Sequence, residues 1–574
     1  MCPKMEKRAL PSASGRNHQH LGGCPLKISD FRPEDIIPQV FMLAASAFND
    51  HVLARLLDFF SDRTAWQRTL WSSGTALSLR ELLEASDQVA AGVVGQTAMA
   101  HFAHCIEIAA LRDFGVGDEK RRKLLGSFLR TDDRNRTLAA NGLQYRTIEQ
   151  LIPEITTKYL KRWADTLAAS PQAAKPERAA RAVAAHLIDC GFHPQFLHKW
   201  WTYKAKYEEG AKTLAELLNE ADALASLPAK SYEAILVFEQ APPVDASKPQ
   251  PAQWLTNKQV SDWLRGNGFA VTGLRQKGGF LLSGAARDTH SVVETAAETA
   301  SRLISRINLG SAHYNRLRVI QEVWIKGETA SLPLPRRRRR VEIHSLQREN
   351  QLYDLRDFGV VDAAMELVEP LDEQPPSAAV AGGWAAIEAL LTGPGDRDQR
   401  ILAGDRMAAL VACSFPRAEL TTLSYELEKQ GGGIGDELKE CPTNKDRCEL
   451  LVREIGKGAA LAFPRNSDQA ALDRLTALLN NPDRVLKDIE ARITESFRRL
   501  YRNRNIVLHG GKTGAIALRA CLRICAPLVG AGLDRIAHAT YTEGLSPLEL
   551  AARARIRLDS LDSAAAVHPI DLLS

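Results

Sequence analysis

Three side chains near the end of the chain combine the residue types that phosphodiester chemistry needs: Arg504, Asn505 and His509. In a helix, Asn505 and His509 share a face because they are four residues apart, so the amide can hold the imidazole in one orientation and tautomer. Arg504 points about 140° away from His509, but its long side chain can bend toward the same pocket. An imidazole exchanges protons near neutral pH, and a guanidinium binds two phosphate oxygens at once. The three residues are therefore candidates for acid–base work on a phosphate ester.

RNA is a suitable substrate for such a group because the ribose 2′-hydroxyl supplies the nucleophile. Cleavage requires that this hydroxyl lose its proton, that the 5′-oxygen gain one, and that charge on the phosphate oxygens be stabilised. An imidazole and a guanidinium can meet these needs without a metal ion. The residues thus predict metal-independent RNA cleavage with no cofactor.

The sequence around these residues resembles the motif of HEPN-type ribonucleases, in which a polar residue often follows the arginine and a glycine often follows the histidine. Residues 504–509 read RNIVLH, and two glycines come next. Residues 384–411, which begin WAAIEALLTG, resemble an early helix pair of the ApeA-like branch of that family. The resemblance covers the last third of the chain and does not extend to the first 370 residues.

The resemblance implies several properties of the site. Cleavage would leave a cyclic phosphate, and two HEPN domains would pair so that two motifs face one cleft, which predicts a homodimer or a higher even oligomer. Glu388 matches an acidic residue of the early helix and could pair with Arg504, although a solvent-facing helix glutamate is equally compatible with the sequence. Arg502 and Lys512 flank the motif and are expected to bind RNA.

The bare spacing of arginine and histidine is weak, because residues 181–186 (RAVAAH) and 339–344 (RRVEIH) repeat it. The first copy lies in an alanine-rich helix, and the second lies in an expected strand beside an arginine run. An ordinary helix end also remains open for the third copy. In that case His509 would interact with the helix dipole and the glycines would cap the helix.

Two other groups of residues contain side chains that can bind a phosphate or a metal ion. The five arginines at 336–340 could bind phosphate, but a solvated charged run is at least as compatible with the sequence. His101, His104 and Cys105 lie close together, but zinc needs further ligands and no convincing second pair is evident. We therefore expect these three residues to serve core packing and predict no metal site.

Composition favours helices and defines few partners. The chain has 574 residues, of which 45% are apolar and 6% aromatic. Its 74 basic and 69 acidic residues give a net charge of +5, which is too mild to indicate nucleic-acid binding by itself. The polar start lacks the apolar core of a signal peptide, and no apolar run is long enough for a membrane span. These features predict a cytoplasmic protein that does not bind membranes.

The pattern along the chain predicts a mainly α, multidomain fold. We expect a flexible tail over residues 1–30, a helical N-terminal domain over 31–227 with helix breaks near Asn141–Gly142 and 170–176, and a small α+β domain over 228–345. A linker is predicted over residues 346–383 because this segment is acidic and rich in proline near its end. A HEPN helical bundle is predicted over residues 384–574.

The middle domain is predicted to have the order β-α-β-β-α-β of a ferredoxin-like unit. Residues 270–284 are expected to form a hairpin, and Asp288 is expected to cap the helix that follows. The letters VEIHSL, after the arginine run, could form one more strand.

Together these features predict a HEPN-type endoribonuclease that acts in anti-phage defence by abortive infection, cleaving RNA such as tRNA or mRNA. The first 370 residues would sense a trigger such as a phage product, or would regulate or support the nuclease. The defence role follows from analogy with ApeA-like proteins. The alternative is a non-catalytic helical protein with a HEPN-like fold that binds RNA or a protein partner.

Overall fold

The structure, a computed structural model, describes most of the chain from Ala47 to Ser574. The predicted tail over residues 1–30 lies outside the described residues, as do Arg336 and Arg337 of the arginine run. The description omits residues 1–46, 131–137, 171–172, 207–211, 245–246, 312–315, 335–337, 355–358, 397–398 and 564–565.

The described part of residues 47–227 is helical, as predicted. The predicted helix breaks are also confirmed, because Asn141 adopts a positive φ of 61° just before a helix and Pro176 begins another helix. The helices pack around a core that includes Phe60, Trp163 and Trp201. They are α1 (Ala47–Phe60), α2 (Thr75–Ala90), α3 (Gln96–Leu111), α4 (Glu119–Leu129), α5 (Leu143–Thr156), α6 (Tyr159–Ala169), α7 (Pro176–Asp189), α8 (Pro194–Lys206) and α9 (Leu214–Ser226).

An antiparallel sheet follows, with strand order β2-β3-β1-β4-β5. Asp288 caps the longer of its two helices, as predicted, by accepting a hydrogen bond from the Ser291 amide. The two helices cover opposite faces of the sheet, each with its own apolar cluster. The elements are β1 (Lys230–Gln240), β2 (Trp254–Leu255), α10 (Asn257–Gly266), β3 (Gly278–Ala286), α11 (Thr289–Gly310), β4 (Arg318–Ile325) and β5 (Leu332–Pro333).

The ferredoxin-like order predicted for this region is wrong. The expected hairpin provides only β3, because Val271 and Leu274 pack with α10 and the Gln276 side chain donates a hydrogen bond to the Asn257 carbonyl. The observed order is β-β-α-β-α-β-β, in which the short strand β2 precedes α10 and α10 leads directly to β3. The additional strand expected in VEIHSL is also absent from the described residues, where a short helix begins at Ser345.

The remainder of the chain is helical. Residues 346–383, predicted as a linker, contain a complete helix and the first half of the next one, which pack against each other. The helix Ile401–Gln430 continues through Pro416, although a proline inside a helix usually kinks or ends it. The helices are α12 (Ser345–Arg348), α13 (Val360–Glu373), α14 (Pro376–Leu391), α15 (Ile401–Gln430), α16 (Ile434–Lys439), α17 (Asn444–Gly456), α18 (Asn466–Asn480), α19 (Pro482–Leu508), α20 (Leu518–Glu543) and α21 (Pro547–Asp559).

The N-terminal and C-terminal helices share a core. Trp71 and Val94 pack with the apolar cluster of the C-terminal helices, which includes Trp384, Met407 and Phe497. The described residues thus belong to one compact unit. The mainly helical class with a small α+β region is confirmed, whereas the division into separate domains stays a prediction.

His186, inside the N-terminal core, should make stability depend on pH. Its ring stacks on Tyr159 with a centroid distance of 4.0 Å, and burial lowers its pKa to about 3. In the unfolded chain the pKa of His186 is about 6.5, so the unfolded chain binds a proton at acidic pH that the folded protein excludes. Lowering the pH from about 7 to about 5 should therefore cost about 2 kcal/mol through this residue.

Urea unfolding of the wild type and of His186→Gln at several pH values measures this effect. The variant should lose less stability between neutral and acidic pH than the wild type, whatever its stability at neutral pH. Parallel curves for the two proteins would contradict the assignment.

Candidate functional site

The predicted motif lies at the C-terminal end of α19. The helix ends because Gly511 adopts a left-handed conformation, with φ of 65°, and the Asn505 carbonyl accepts hydrogen bonds from the amides of His509 (2.8 Å) and Gly510 (3.2 Å). His509 is the C-terminal cap of the helix, and its side chain is exposed. At the level of the backbone, the ordinary helix end considered above is therefore present, and it leaves the imidazole accessible.

The side chains of the motif converge. Arg504 Nη1 donates a hydrogen bond to Asn505 Oδ1 (3.0 Å) and lies 2.8 Å from His509 Nε2. Because a guanidinium can only donate, Nε2 must accept, which places the proton of a neutral imidazole on Nδ1. Asn505 is buried and Arg504 is half-buried. The sequence predicted that Asn505 would orient His509 directly, whereas in the structure the guanidinium lies between the amide and the imidazole.

Arg502, predicted to bind RNA, is buried instead. Its guanidinium bonds to Glu81 (3.2 Å) of α2 and to Glu495 (2.7 Å), and it lies over the Phe102 ring. Arg499 bonds to the other oxygen of Glu81 at 2.8 Å. Burial opposes ionisation of Glu495, but the charges of the two arginines lower the pKa of its carboxyl below the usual value. Arg502 thus holds two regions of the protein together, and the RNA-binding prediction for it is corrected.

The two remaining predicted residues differ in outcome. Lys512 lies three residues after His509 and is partly exposed. Its ammonium lies 2.6 Å from Glu84 Oε1. Glu388 lies 2.8 Å from Arg400, whereas Arg504 bonds to Asn505 and His509. The predicted pair of Glu388 with Arg504 is therefore not formed, because a residue closer in the chain takes the carboxylate.

A polar stripe on α2 faces the motif helix and its end. Glu81 binds the buried arginines, Glu84 accepts a hydrogen bond from the Ile516 amide (2.9 Å), and Gln88 lies beside Gly510. A Cβ atom at Gly510 would approach Gln88 Oε1 to 2.6 Å and the Ile506 carbonyl oxygen to 2.7 Å. The residues around the motif do not indicate this contact, because the stripe is more than 400 residues away along the chain. Its only local signal is the spacing of polar residues on one face of α2.

The other two copies of the motif spacing do not form an accessible site. Arg181 lies over the rings of Phe59 and Trp71, and His186 is buried. Arg339 is buried and donates hydrogen bonds to the Leu371 and Gln374 carbonyls at the end of α13, whereas His344 is exposed. These two copies thus differ from the one at the end of α19, because at least one residue of each pair is buried.

One group of side chains has the composition of a metal site. His101 and Cys105 of α3 and Glu495 of α19 place their ligand atoms within 4.8 Å of one another. The sequence predicted core packing for His101, His104 and Cys105 because no further zinc ligands were evident, whereas the structure leaves His101 partly exposed and His104 exposed. Glu495 could not be linked to this group from the sequence, because it is almost 400 positions away.

Comparison of the chain with protein-family models, curated proteins and solved structures finds no match. In the part of the chain that the structure describes, every helix is too short or too polar to cross a membrane.

Replacing Glu81 should destabilise the protein strongly. Glu81→Gln removes the negative charge that faces two buried guanidinium groups, and breaking such a buried pair costs about 3–5 kcal/mol. Glu119→Gln is the matched control, because the Glu119–Lys123 pair is exposed and should leave stability unchanged. Denaturant unfolding measures both variants, and equal stability of the two would contradict the structural role of Glu81.

Proposed function

We propose that this protein is a metal-independent endoribonuclease of the HEPN type, with Arg504 and His509 at the scissile phosphate. The observation that supports this proposal best is the 2.8 Å contact between the Arg504 guanidinium and the imidazole of His509, which is accessible at the end of α19. The two group types are those that RNA cleavage needs, and a nucleotide can reach them from solvent.

An incoming phosphate would replace His509 as the hydrogen-bond partner of the Arg504 guanidinium. Its oxygens compete with His509 Nε2 for the N–H groups of Arg504, because an anion binds a guanidinium more strongly than a neutral imidazole does. The freed Nε2 accepts the proton of the ribose 2′-hydroxyl, and the 2′-oxygen forms a bond to phosphorus. The bond from phosphorus to the 5′-oxygen breaks, and the leaving oxygen takes a proton from the imidazolium of a second motif. The products are a cyclic phosphate and a free 5′-hydroxyl.

The second motif would come from another copy of the chain, which makes a homodimer or a higher even oligomer part of the proposal. Action on tRNA or mRNA in anti-phage defence, in response to a phage product, rests on the resemblance alone. The packing of α2 against α19 supports a regulatory role for the N-terminal helices, because movement of α2 would disturb the helix that carries the motif.

Binding without catalysis is the second candidate. The accessible guanidinium of Arg504 and imidazole of His509 could bind a phosphate without moving a proton. The variants below distinguish the two candidates, because a binding protein has no cleavage to lose.

Arg504→Ala and His509→Ala should each abolish RNA cleavage and any toxicity to the host cell while the fold is retained. Removing a residue that acts in the transition state lowers the rate by about 100-fold or more. Cleavage of total RNA, with mapping of the cut ends, measures this loss, and circular dichroism checks the fold. His344→Ala is the matched control, because His344 has the same spacing from an arginine and is also exposed. Cleavage that survives both motif substitutions would remove the assignment.

Cleavage should also proceed in magnesium-free buffer and leave cyclic phosphate ends. Both follow from a reaction in which imidazole and guanidinium groups move the protons and bind the phosphate. Mass spectrometry of a short RNA substrate identifies the ends. A strict requirement for magnesium, or products with 5′-phosphates, would contradict this chemistry.

A further inference from the structure

We propose that His101, Cys105 and Glu495 bind a zinc-class divalent ion that fastens α3 to the motif helix α19. The three residues supply one nitrogen, one sulfur and one oxygen, which is a donor set that zinc accepts. His101 and Cys105 are four residues apart on α3, so both side chains leave the same face of that helix.

The distances between the donor atoms fit a single ion. Cys105 Sγ lies 3.7 Å from His101 Nδ1, and that nitrogen lies 3.8 Å from Glu495 Oε2. A tetrahedral zinc ion holds such atoms about 3.4–3.6 Å apart, since Zn–S is about 2.3 Å and Zn–N about 2.0 Å. These two distances would have to shorten by a few tenths of an ångström, and the sulfur of Cys105 and the ligand oxygen of Glu495 lie within 4.8 Å of each other.

The hydrogen bonds of Glu495 leave one oxygen for the ion. Oε1 accepts from Arg502, whereas Oε2 is buried and has no hydrogen-bond partner among the described residues. A buried carboxylate oxygen without a partner is costly, and a cation would satisfy it. The orientation of Glu495 is fixed by Arg502, which in turn is held by Glu81.

The neighbouring charges do not exclude a cation. Besides burial, which lowers the pKa of His101 first, Arg498 is the neighbouring guanidinium that lowers this pKa most, and Asp405 neutralises Arg498 through two hydrogen bonds of 2.9 and 2.7 Å. Arg502 is shared between Glu81 and Glu495. His101 has 38% of its side chain exposed, so an ion can enter from solvent and a water molecule can complete the tetrahedron.

The site is separate from the proposed reaction. Glu495 precedes Arg504 by nine residues on α19, which corresponds to about 13 Å along a helix. A bound ion would thus fix the position of the motif helix relative to the N-terminal helices without touching the scissile phosphate.

Cobalt(II) is a suitable probe, because its visible absorption reports tetrahedral geometry and its near-ultraviolet absorption reports a thiolate ligand. The full chain, stripped of metal and reduced, should bind one equivalent of cobalt with both signals, and zinc should displace it. Zinc should also raise the thermal unfolding temperature of the stripped protein. These measurements need no RNA, so they stand or fall independently of the ribonuclease proposal.

Cys105→Ser should remove the thiolate band, and His101→Gln should weaken binding about tenfold or more. The matched control is Cys190→Ser, because Cys190 lies 3.6 Å from His186 at the same helical spacing but belongs to no three-ligand group among the described residues. Circular dichroism checks that each variant folds, and the half-exposed His101 provides a second test if Cys105→Ser is unstable. Absence of cobalt binding by the folded wild type, or a spectrum unchanged in both variants, would overturn the proposal.

Discussion

The arrangement of the candidate site depends on the burial of two guanidinium groups between α19 and α2. Arg499 and Arg502 are removed from water, and Glu81 reaches both. Burying such charges is costly unless they are paired with good geometry, so α19 has few alternative positions against α2. This packing therefore also fixes the position of the end of α19, with its exposed imidazole. It fixes Glu495 as well, and with it the place where Glu495 meets His101 and Cys105, the other two candidate metal ligands.

The secondary structure was largely accessible from the sequence because it follows local rules. Helix breaks at Asn141 and Pro176 and the cap at Asp288 depend on the conformational preferences of single residues. The hairpin prediction failed because only its second half, from Gly278, forms a strand, whereas Val271 and Leu274 are partly buried in the cluster that contains Val260 and Leu264 of α10. Periodicity indicates that a side chain is buried and does not indicate which element buries it.

The site shows the same division. The proximity of Arg504, Asn505 and His509 follows from the geometry of one helix, and the sequence was sufficient to predict it. The fate of Arg502 depends on Glu81, and that of Glu388 depends on Arg400, so neither could be inferred from the motif. Likewise, Glu495 completes the ligand group with His101 and Cys105 only once α3 and α19 are packed together. Contacts between residues that are distant in the chain are what a single sequence does not reveal.

The sheet limits how two copies of this chain could associate. Its outermost strands, β2 and β5, are only two residues long, and β5 contains Pro333. Proline has no amide hydrogen to donate, and such short edges offer little template for a further strand. Joining of two chains through β2 or β5 themselves is therefore disfavoured, as is fibre-like aggregation through these two strands. We therefore expect two copies of the chain to associate through surfaces other than these two strands.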